Sequence, residues 1–148
     1  MDAYVIIGNP HTRKASLVRS LTGCFNRNVR DMLPEGAAAA VRVYARAGSL
    51  QDTATTPEAF LAEAARMRCS AVLCCLSPSA HPNHRELYPD AGTYLARFEA
   101  AGWQIRSIAV LGQNAGGIRS PLLRQFPQAT TAPINLTAHE VRTHFGWV

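Results

Sequence analysis

The most constraining feature of this sequence is an uninterrupted apolar run, Ala-Val-Leu-Cys-Cys-Leu, at residues 71–76. A strand without alternating polar residues is typical of a parallel sheet that is covered by helices on both faces. Ser77, Pro78 and Ser79 then end the run with turn-forming residues. Residues 3–7 and 105–111 read as two further buried strands, so the sequence predicts a parallel sheet buried between two helical layers.

Helical patterns alternate with these strands. The first predicted helix covers residues 12–21 and ends at Gly23, and the second begins at the Thr56 cap. The third covers residues 90–101 and has Asp90 as its cap. A short helix is predicted at residues 120–126, and a capping box at residues 137–140 begins the last helix. Residues 41–46 alternate as a half-buried strand, and most of residues 24–40 is expected to be loop. The pattern predicts a single α/β domain over residues 1–148, a three-layer α/β/α sandwich with a mostly parallel sheet of about four or five strands.

The composition is typical of one compact domain, and it also indicates the cellular location and the charge of the partner that we expect. The chain has 148 residues, of which 47% are hydrophobic and 17% charged. No apolar stretch approaches the roughly 18 residues of a membrane span and no signal-type N-terminus is visible, so we expect a cytoplasmic protein with no membrane partner. Cys24, Cys69, Cys74 and Cys75 form no C-x-x-C pair and read as reduced, mostly buried thiols. The formal charge of +5 favours an anionic partner.

The loop after the first strand has the character of a phosphate-binding loop. The chain has 15 lysine and arginine residues, and its single lysine, Lys14, stands six residues after Gly8 in this loop. Such loops surround phosphate oxygens with backbone N–H groups and a helix N-terminus, and a lysine adds a full positive charge. The predicted ligand-binding residues are Gly8, Asn9, Thr12, Arg13, Lys14 and Ser16.

These residues resemble the start of the translation-factor-related (TRAFAC-class) P-loop GTPases. The resemblance rests on Gly8-Asn9-Pro10, on Lys14, Ser16 and Leu17, and on Leu21-Thr22-Gly23, and it covers residues 4–23. It implies a P-loop-NTPase-like fold and GTP or ATP as the ligand. The pattern G-x-x-x-x-G-K-[ST] is only half matched, because Arg13 stands at the second glycine and Ala15 at the hydroxyl position.

The later signatures of that family are missing. Its D-x-x-G would fall on Ser77-Pro78-Ser79-Ala80, and its N-K-x-D on the stretch that begins Gly112-Gln113-Asn114-Ala115. Hydrolysis relies on magnesium bridging the β and γ phosphates, and neither the hydroxyl nor the strand-terminal aspartate that would hold it is present. The sequence thus favours a nucleotide- or phosphate-binding protein with weak or absent hydrolysis, leaves magnesium doubtful and implies no guanine specificity.

Two other functions remain open. A non-catalytic domain on a degenerate NTPase fold would bind a protein or nucleic acid through its arginine-rich surface. A transferase or hydrolase acting on nucleotides would instead use the loop after residue 76. The candidate side chains in that loop are Ser77, Ser79, His81, His84, Glu86 and Asp90. Because ligands of open parallel sheets bind beyond the carboxyl ends of the strands, we expect the loops at 8–14, 77–89 and 112–117 to converge there.

Overall fold

The computed structural model describes residues 1–23 and 27–147, and this part of the chain forms one six-stranded sheet with four helices. The strands are β1 (Asp2–Gly8), β2 (Arg27–Met32), β3 (Val41–Ser49), β4 (Ala71–Leu76), β5 (Gln104–Leu111) and β6 (Leu123–Phe126). The helices are α1 (Lys14–Thr22), α2 (Pro57–Met67), α3 (Ala91–Ala100) and α4 (Ile134–Phe145). The sheet order is β2-β3-β4-β1-β5-β6, and every neighbouring pair is parallel except β2 and β3.

The central strands divide their side chains between two hydrophobic layers. Val5, Ile7 and Cys74 pack on the face that α2 and α3 cover, whereas Ile6 and Cys75 pack on the face of α1 and α4. Burial on both faces explains why β1 and β4 lack polar residues in their interiors. The architecture is therefore α/β with helices on both sides of a mostly parallel sheet, as predicted, and the adjacent thiols of Cys74 and Cys75 face opposite layers.

Three predicted helix ends are confirmed. The Thr56 hydroxyl accepts the Ala59 backbone N–H at 3.1 Å, and Asp90 accepts that of Thr93 at 2.9 Å. Each of these caps satisfies a first-turn N–H that has no partner within its helix. Gly23 ends α1 in the left-handed conformation with φ of 74°. Among the described helices, none is long and apolar enough to cross a bilayer.

The predicted strand number of four or five is wrong, because two strands at the edges of the sheet were missed. β2 lies within the stretch expected to be loop, and β6 replaces the short helix expected at residues 120–126. Edge strands bury less of their surface and can be short and polar, so they carry little periodic signal. β6 has only four residues, and its parallel register with β5, from Ile108 opposite Leu123 to Leu111 opposite Phe126, is set by tertiary pairing.

The beginning of the last helix was also misplaced. α4 starts at Ile134, with Pro133 at the cap position, so Thr137 lies inside the helix and is 3% exposed. A capping box can recur by chance in a helix interior, because its pattern needs only two residues. Cys24, which was predicted to be a buried thiol, lies outside the described residues, and Cys69, Cys74 and Cys75 are buried.

A buried ion pair joins β3 to α2 and to the loop that follows β3. The Arg46 guanidinium lies 2.9 Å from the Glu63 carboxylate, with side chains only 5% and 13% exposed. The other end of the guanidinium donates to the hydroxyls of Thr53 and Thr55, at 2.8 and 3.1 Å, and the Tyr44 hydroxyl donates to Glu63. These bonds fix the loop beyond β3 to the helical layer beneath it.

Removal of the buried carboxylate should therefore cost far more than removal of an exposed one on the same helix. Glu63→Ala leaves Arg46 without a counter-charge and should lower the free energy of unfolding by about 3–5 kcal/mol. The control Glu58→Ala breaks the pair with Arg97, whose side chains are 61% and 53% exposed, and should cost about 0.2–1 kcal/mol. Chemical denaturation of both variants measures the difference, and equal losses would contradict this account.

Candidate functional site

The loop between β1 and α1 lies beside a point where two adjacent strands lead to helices on opposite faces of the sheet. After β1 the chain enters α1 on one face, whereas after the neighbouring strand β4 it enters α3 on the other face. Connections that leave adjacent strands on opposite sides open a crevice at their carboxyl ends, and open α/β sheets bind ligands in such crevices. The topology therefore places residues 9–13 at the edge of the crevice.

The β1–α1 loop is tightly curled. His11 and Arg13 both adopt positive φ values, of 67° and 71°, and the Thr12 hydroxyl donates to the Asn9 carbonyl at 2.7 Å. A β-carbon on Gly8 would lie 2.3 Å from the Thr12 hydroxyl oxygen. Glycine at this position is therefore required by the close approach of Thr12 across the loop.

Lys14 closes the loop from its far end. Its ammonium donates to the Gly8 carbonyl at 2.6 Å and to the Asn9 carbonyl at 2.9 Å, and the residue is only 7% exposed. Burial lowers the pKa of Lys14, and electrostatic interactions with Cys75 and with the Asp52 carboxylate oppose this effect. An ammonium has three N–H donors, so two carbonyls leave one donor for another group.

Arg13 takes the position of the motif's second glycine and its left-handed conformation. Its guanidinium donates to the carbonyls of Ala129 and Ala132, at 3.3 and 2.6 Å, in the segment that precedes α4. The side chain therefore ties the β1–α1 loop to the other end of the chain. Arg13 is also the cap residue of α1 and makes no side-chain capping bond, so the first-turn N–H groups of α1 receive no capping side chain.

The three loops expected to converge do meet. The Asn114 amide donates to the Asn9 side-chain oxygen at 3.0 Å, which links the loop after β5 to the β1–α1 loop. The backbone of Gly116 packs so closely on the loop after β4 that a β-carbon there would lie 2.7 Å from the Pro78 carbonyl oxygen. The carboxyl ends of β1, β4 and β5 thus form one surface.

The candidate side chains of the loop after β4 are not brought together as a catalytic set. Ser77 is buried and its hydroxyl donates to that of Ser49 at 3.4 Å, and Asp90 caps α3. The rings of His81 and His84 lie 5.6 Å apart and both contact Tyr88, which makes a small aromatic cluster. Ser79 and Glu86 are exposed. Within residues 1–23 and 27–147, no three His, Cys, Asp or Glu side chains lie together as metal ligands.

A cavity of about 350 Å³ opens beside Lys14, and part of its lining was missed in the sequence. One wall is the β1–α1 loop with Lys14 and Ser16, and the other is the end of β3 with Ser49 and Asp52. Asp52 follows the strand predicted at residues 41–46 and was not among the predicted ligand-binding residues. The available signal was its position just after a predicted parallel strand, because the carboxyl ends of parallel strands share one edge of the sheet.

No protein-family model, curated protein or solved structure matches this chain. Any function must therefore be argued from the geometry of this site and from the chemistry of its residues.

The contact between Gly8 and Thr12 predicts strong coupling between substitutions at the two positions. Gly8→Ala should lower the free energy of unfolding by about 1–3 kcal/mol, because the new methyl group overlaps the Thr12 hydroxyl. Thr12→Ala removes that hydroxyl, and its lost hydrogen bond should cost about 0.5–1.5 kcal/mol. In a double-mutant cycle the combined variant should lose less than the sum of the two, and additive losses would contradict the contact.

The lowered pKa of Lys14 predicts a distinctive dependence of stability on pH. Just below the ordinary pKa of 10.5, the unfolded chain binds more protons at Lys14 than the folded one, so this group makes stability rise with pH. Lys14→Met abolishes that contribution. The difference in unfolding free energy between wild type and Lys14→Met should therefore grow in favour of the wild type as the pH approaches 10.5. Other groups, such as the buried Tyr94 with its raised pKa, are present in both proteins and cancel.

A pH-independent difference between the two proteins, measured by urea denaturation at several pH values, would show that Lys14 is not desolvated by the fold.

Proposed function

We propose that this protein binds a nucleotide or another phosphorylated ligand at the β1–α1 loop, with weak or absent hydrolysis. The observation that carries the proposal is the Lys14 ammonium, which is held on the carbonyls of Gly8 and Asn9 at the edge of the crevice. Gly8, Asn9, Thr12, Arg13 and Ser16 complete the proposed site, with Arg13 acting through its backbone.

Charge supports an anionic ligand. Lys14 is buried and makes no ion pair with any residue in the described part of the chain. A buried charge is costly, and the carbonyl oxygens, together with an Asp52 carboxylate that is too distant for an ion pair, offer only partial compensation. A phosphate that accepts the third N–H of the ammonium would supply a negative charge in direct contact.

The surroundings of Lys14 add further support. α1 has no acidic residue in its first turn and no capping side chain, so its N-terminal N–H groups and helix dipole favour an anion. The adjoining cavity, at about 350 Å³, is at the lower end of the range for ligand pockets. Such a space suits phosphate groups, with the rest of a larger ligand lying outside it.

Weak hydrolysis is proposed because of the side chains around the loop. Ala15 offers no hydroxyl beside Lys14, and β4 is followed by Ser77 and Pro78 where an acid would be needed. The loop after β4 is further committed to structure, because the Gln51 amide bonds both the N–H and the carbonyl of Ser77 at 2.9 Å. Binding without efficient turnover is the function that these residues favour.

Thermal unfolding with phosphate-containing ligands tests the proposal. Inorganic tripolyphosphate, ATP and GTP, each at 100 times its dissociation constant, should stabilise the wild type by about 2.7 kcal/mol. Lys14→Met keeps the length and apolar stem of the side chain and removes its charge, so the stabilisation should vanish. The matched control Arg66→Met removes one positive charge from an exposed position on α2, and the ligands should stabilise this variant as much as the wild type.

Two results would contradict the proposal. Equal losses in Lys14→Met and Arg66→Met would indicate non-specific attraction to a basic protein. Wild-type protein that is stabilised by none of the three ligands would have no working phosphate site, and the alternative of a domain that binds a protein or nucleic acid would then be favoured.

A further inference from the structure

The connection between β5 and β6 leaves part of one face of the sheet without a helix. Neighbouring parallel strands are usually joined by a crossover that contains a helix, and the right-handed sense of such crossovers places it on the face that α3 covers. Residues 112–122 make this connection and form no helix. The space beside α3 is instead a cavity of about 640 Å³.

This cavity, which we call the α3 cleft, has three walls. One face of α3 forms the first wall, the beginning of β5 forms the second, and residues 118–122 of the connection form the third. The lining is mostly apolar, and its larger apolar side chains are Leu95, Trp103, Ile105, Ile108, Ile118 and Leu122. Leu122 is 40% exposed, so a ligand in the cleft would remove apolar surface from water.

The size of the α3 cleft favours a small molecule over a helix of another protein. Its volume lies within the range of ligand pockets, which is about 300–1,000 Å³. A helix with its side chains is about 10–12 Å across and rises about 5.4 Å per turn, so the cleft would hold fewer than two turns. Along α3 the cleft extends from Gly92 to Glu99, which at about 1.5 Å per residue is roughly 10 Å.

One cation in the α3 cleft has no partner in the protein. Arg119 lines the cleft and makes no hydrogen bond or ion pair with any residue of the described ranges 1–23 and 27–147. The guanidinium of the other lining arginine, Arg106, lies 3.2 Å from the Asp2 carboxylate. A guanidinium can bind a carboxylate through two parallel N–H bonds, so a ligand carboxylate is a suitable partner for Arg119.

The acid in the α3 cleft lies at the end away from Arg119. A β-carbon on Gly92 would lie 3.9 Å from the Ile118 side chain, so the residue next to Arg119 is at the Gly92 end of α3. Glu99 is about two turns further along the same helix and is exposed. A ligand's anionic group would therefore bind at the Gly92 end, where it is attracted by Arg119 and is distant from the Glu99 carboxylate.

We propose that the α3 cleft binds a small apolar carboxylic acid as its anion. The carboxylate pairs with Arg119, and the apolar body lies along α3 against Leu95 and extends toward Trp103. This site is separate from the cavity beside Lys14, since the two share no lining residue. The inference therefore goes beyond the proposed function and does not depend on it.

Calorimetric titration with octanoate and with 1-octanol tests this inference, because the two probes have the same chain length and differ in charge. Octanoate should bind the wild type about 5- to 10-fold more tightly than 1-octanol. Arg119→Met should abolish this preference, whereas the control Arg66→Met, at an exposed position on α2, should keep it. Ala96→Phe places a ring in the cleft and should prevent binding of both probes, whereas the control Ala65→Phe on α2 should bind both as the wild type does.

Tryptophan fluorescence locates the bound probe. Of the two tryptophans in the chain, Trp103 lines the α3 cleft, whereas Trp147 is buried in the other hydrophobic layer. Octanoate should shift the emission of the wild type to shorter wavelength, because it removes water from around Trp103. The variant Trp103→Phe keeps Trp147 and should show no shift.

Octanoate binding that Ala96→Phe retains, or wild-type emission that octanoate leaves unchanged, would overturn the inference. Equal wild-type affinity for octanoate and 1-octanol would overturn it as well, because Arg119 would then not select a carboxylate. Octanoate binding that is lost in Lys14→Met would place the anion at the β1–α1 loop instead. Absence of binding of either probe would overturn the inference and leave the proposed phosphate site standing.

Discussion

The bond between the Lys14 ammonium and the carbonyls of Gly8 and Asn9 is the interaction on which the site depends. Its two ends are fixed by different elements, because Gly8 ends the central strand β1 and Lys14 begins α1. Both elements are held by the core, where Leu17 and Val18 of α1 are fully buried. The loop between them must then span a short gap in a curled conformation, which includes two non-glycine residues with positive φ. Such residues cost of order 1–3 kcal/mol each and persist only where the surrounding structure determines them.

Arg13 shows how this strain is compensated. A glycine in its place would adopt the left-handed conformation freely, whereas an arginine requires additional interactions to hold it there. Those interactions come from the carbonyls of Ala129 and Ala132, which accept hydrogen bonds from the guanidinium. Arginine at this position therefore depends on a tertiary anchor, which links the conformation of the β1–α1 loop to the segment before α4. Arg13 differs from glycine in its side chain but keeps the left-handed backbone conformation that glycine favours.

Much of the fold could be predicted from local patterns, whereas the pairing at its edges could not. The apolar runs of β1 and β4 and the caps at Thr56 and Asp90 carry their information within a few residues, and the structure confirms them. β6 was missed because its four residues become a strand only through pairing with β5. Asp52 was missed for a related reason, because the P-loop GTPase pattern predicts an acid only after the strand at residues 71–76. The order of strands in the sheet brings the end of β3 to the same edge.

The way in which β4 ends explains why side chains from β1 and β3 can share one cavity although β4 lies between them. The chain leaves β4 toward α3, on the face opposite α1, and so it leaves the space above the end of β4 open on the α1 side. Gln51 fixes this exit, since its amide is bonded to the N–H and carbonyl of Ser77 and to the carbonyl of Pro89. The cavity is accordingly lined by residues 10–16 and 47–49 and by Asp52. The buried Gln51, which is the neighbour of Asp52, thus fixes the beginning and end of the loop after β4.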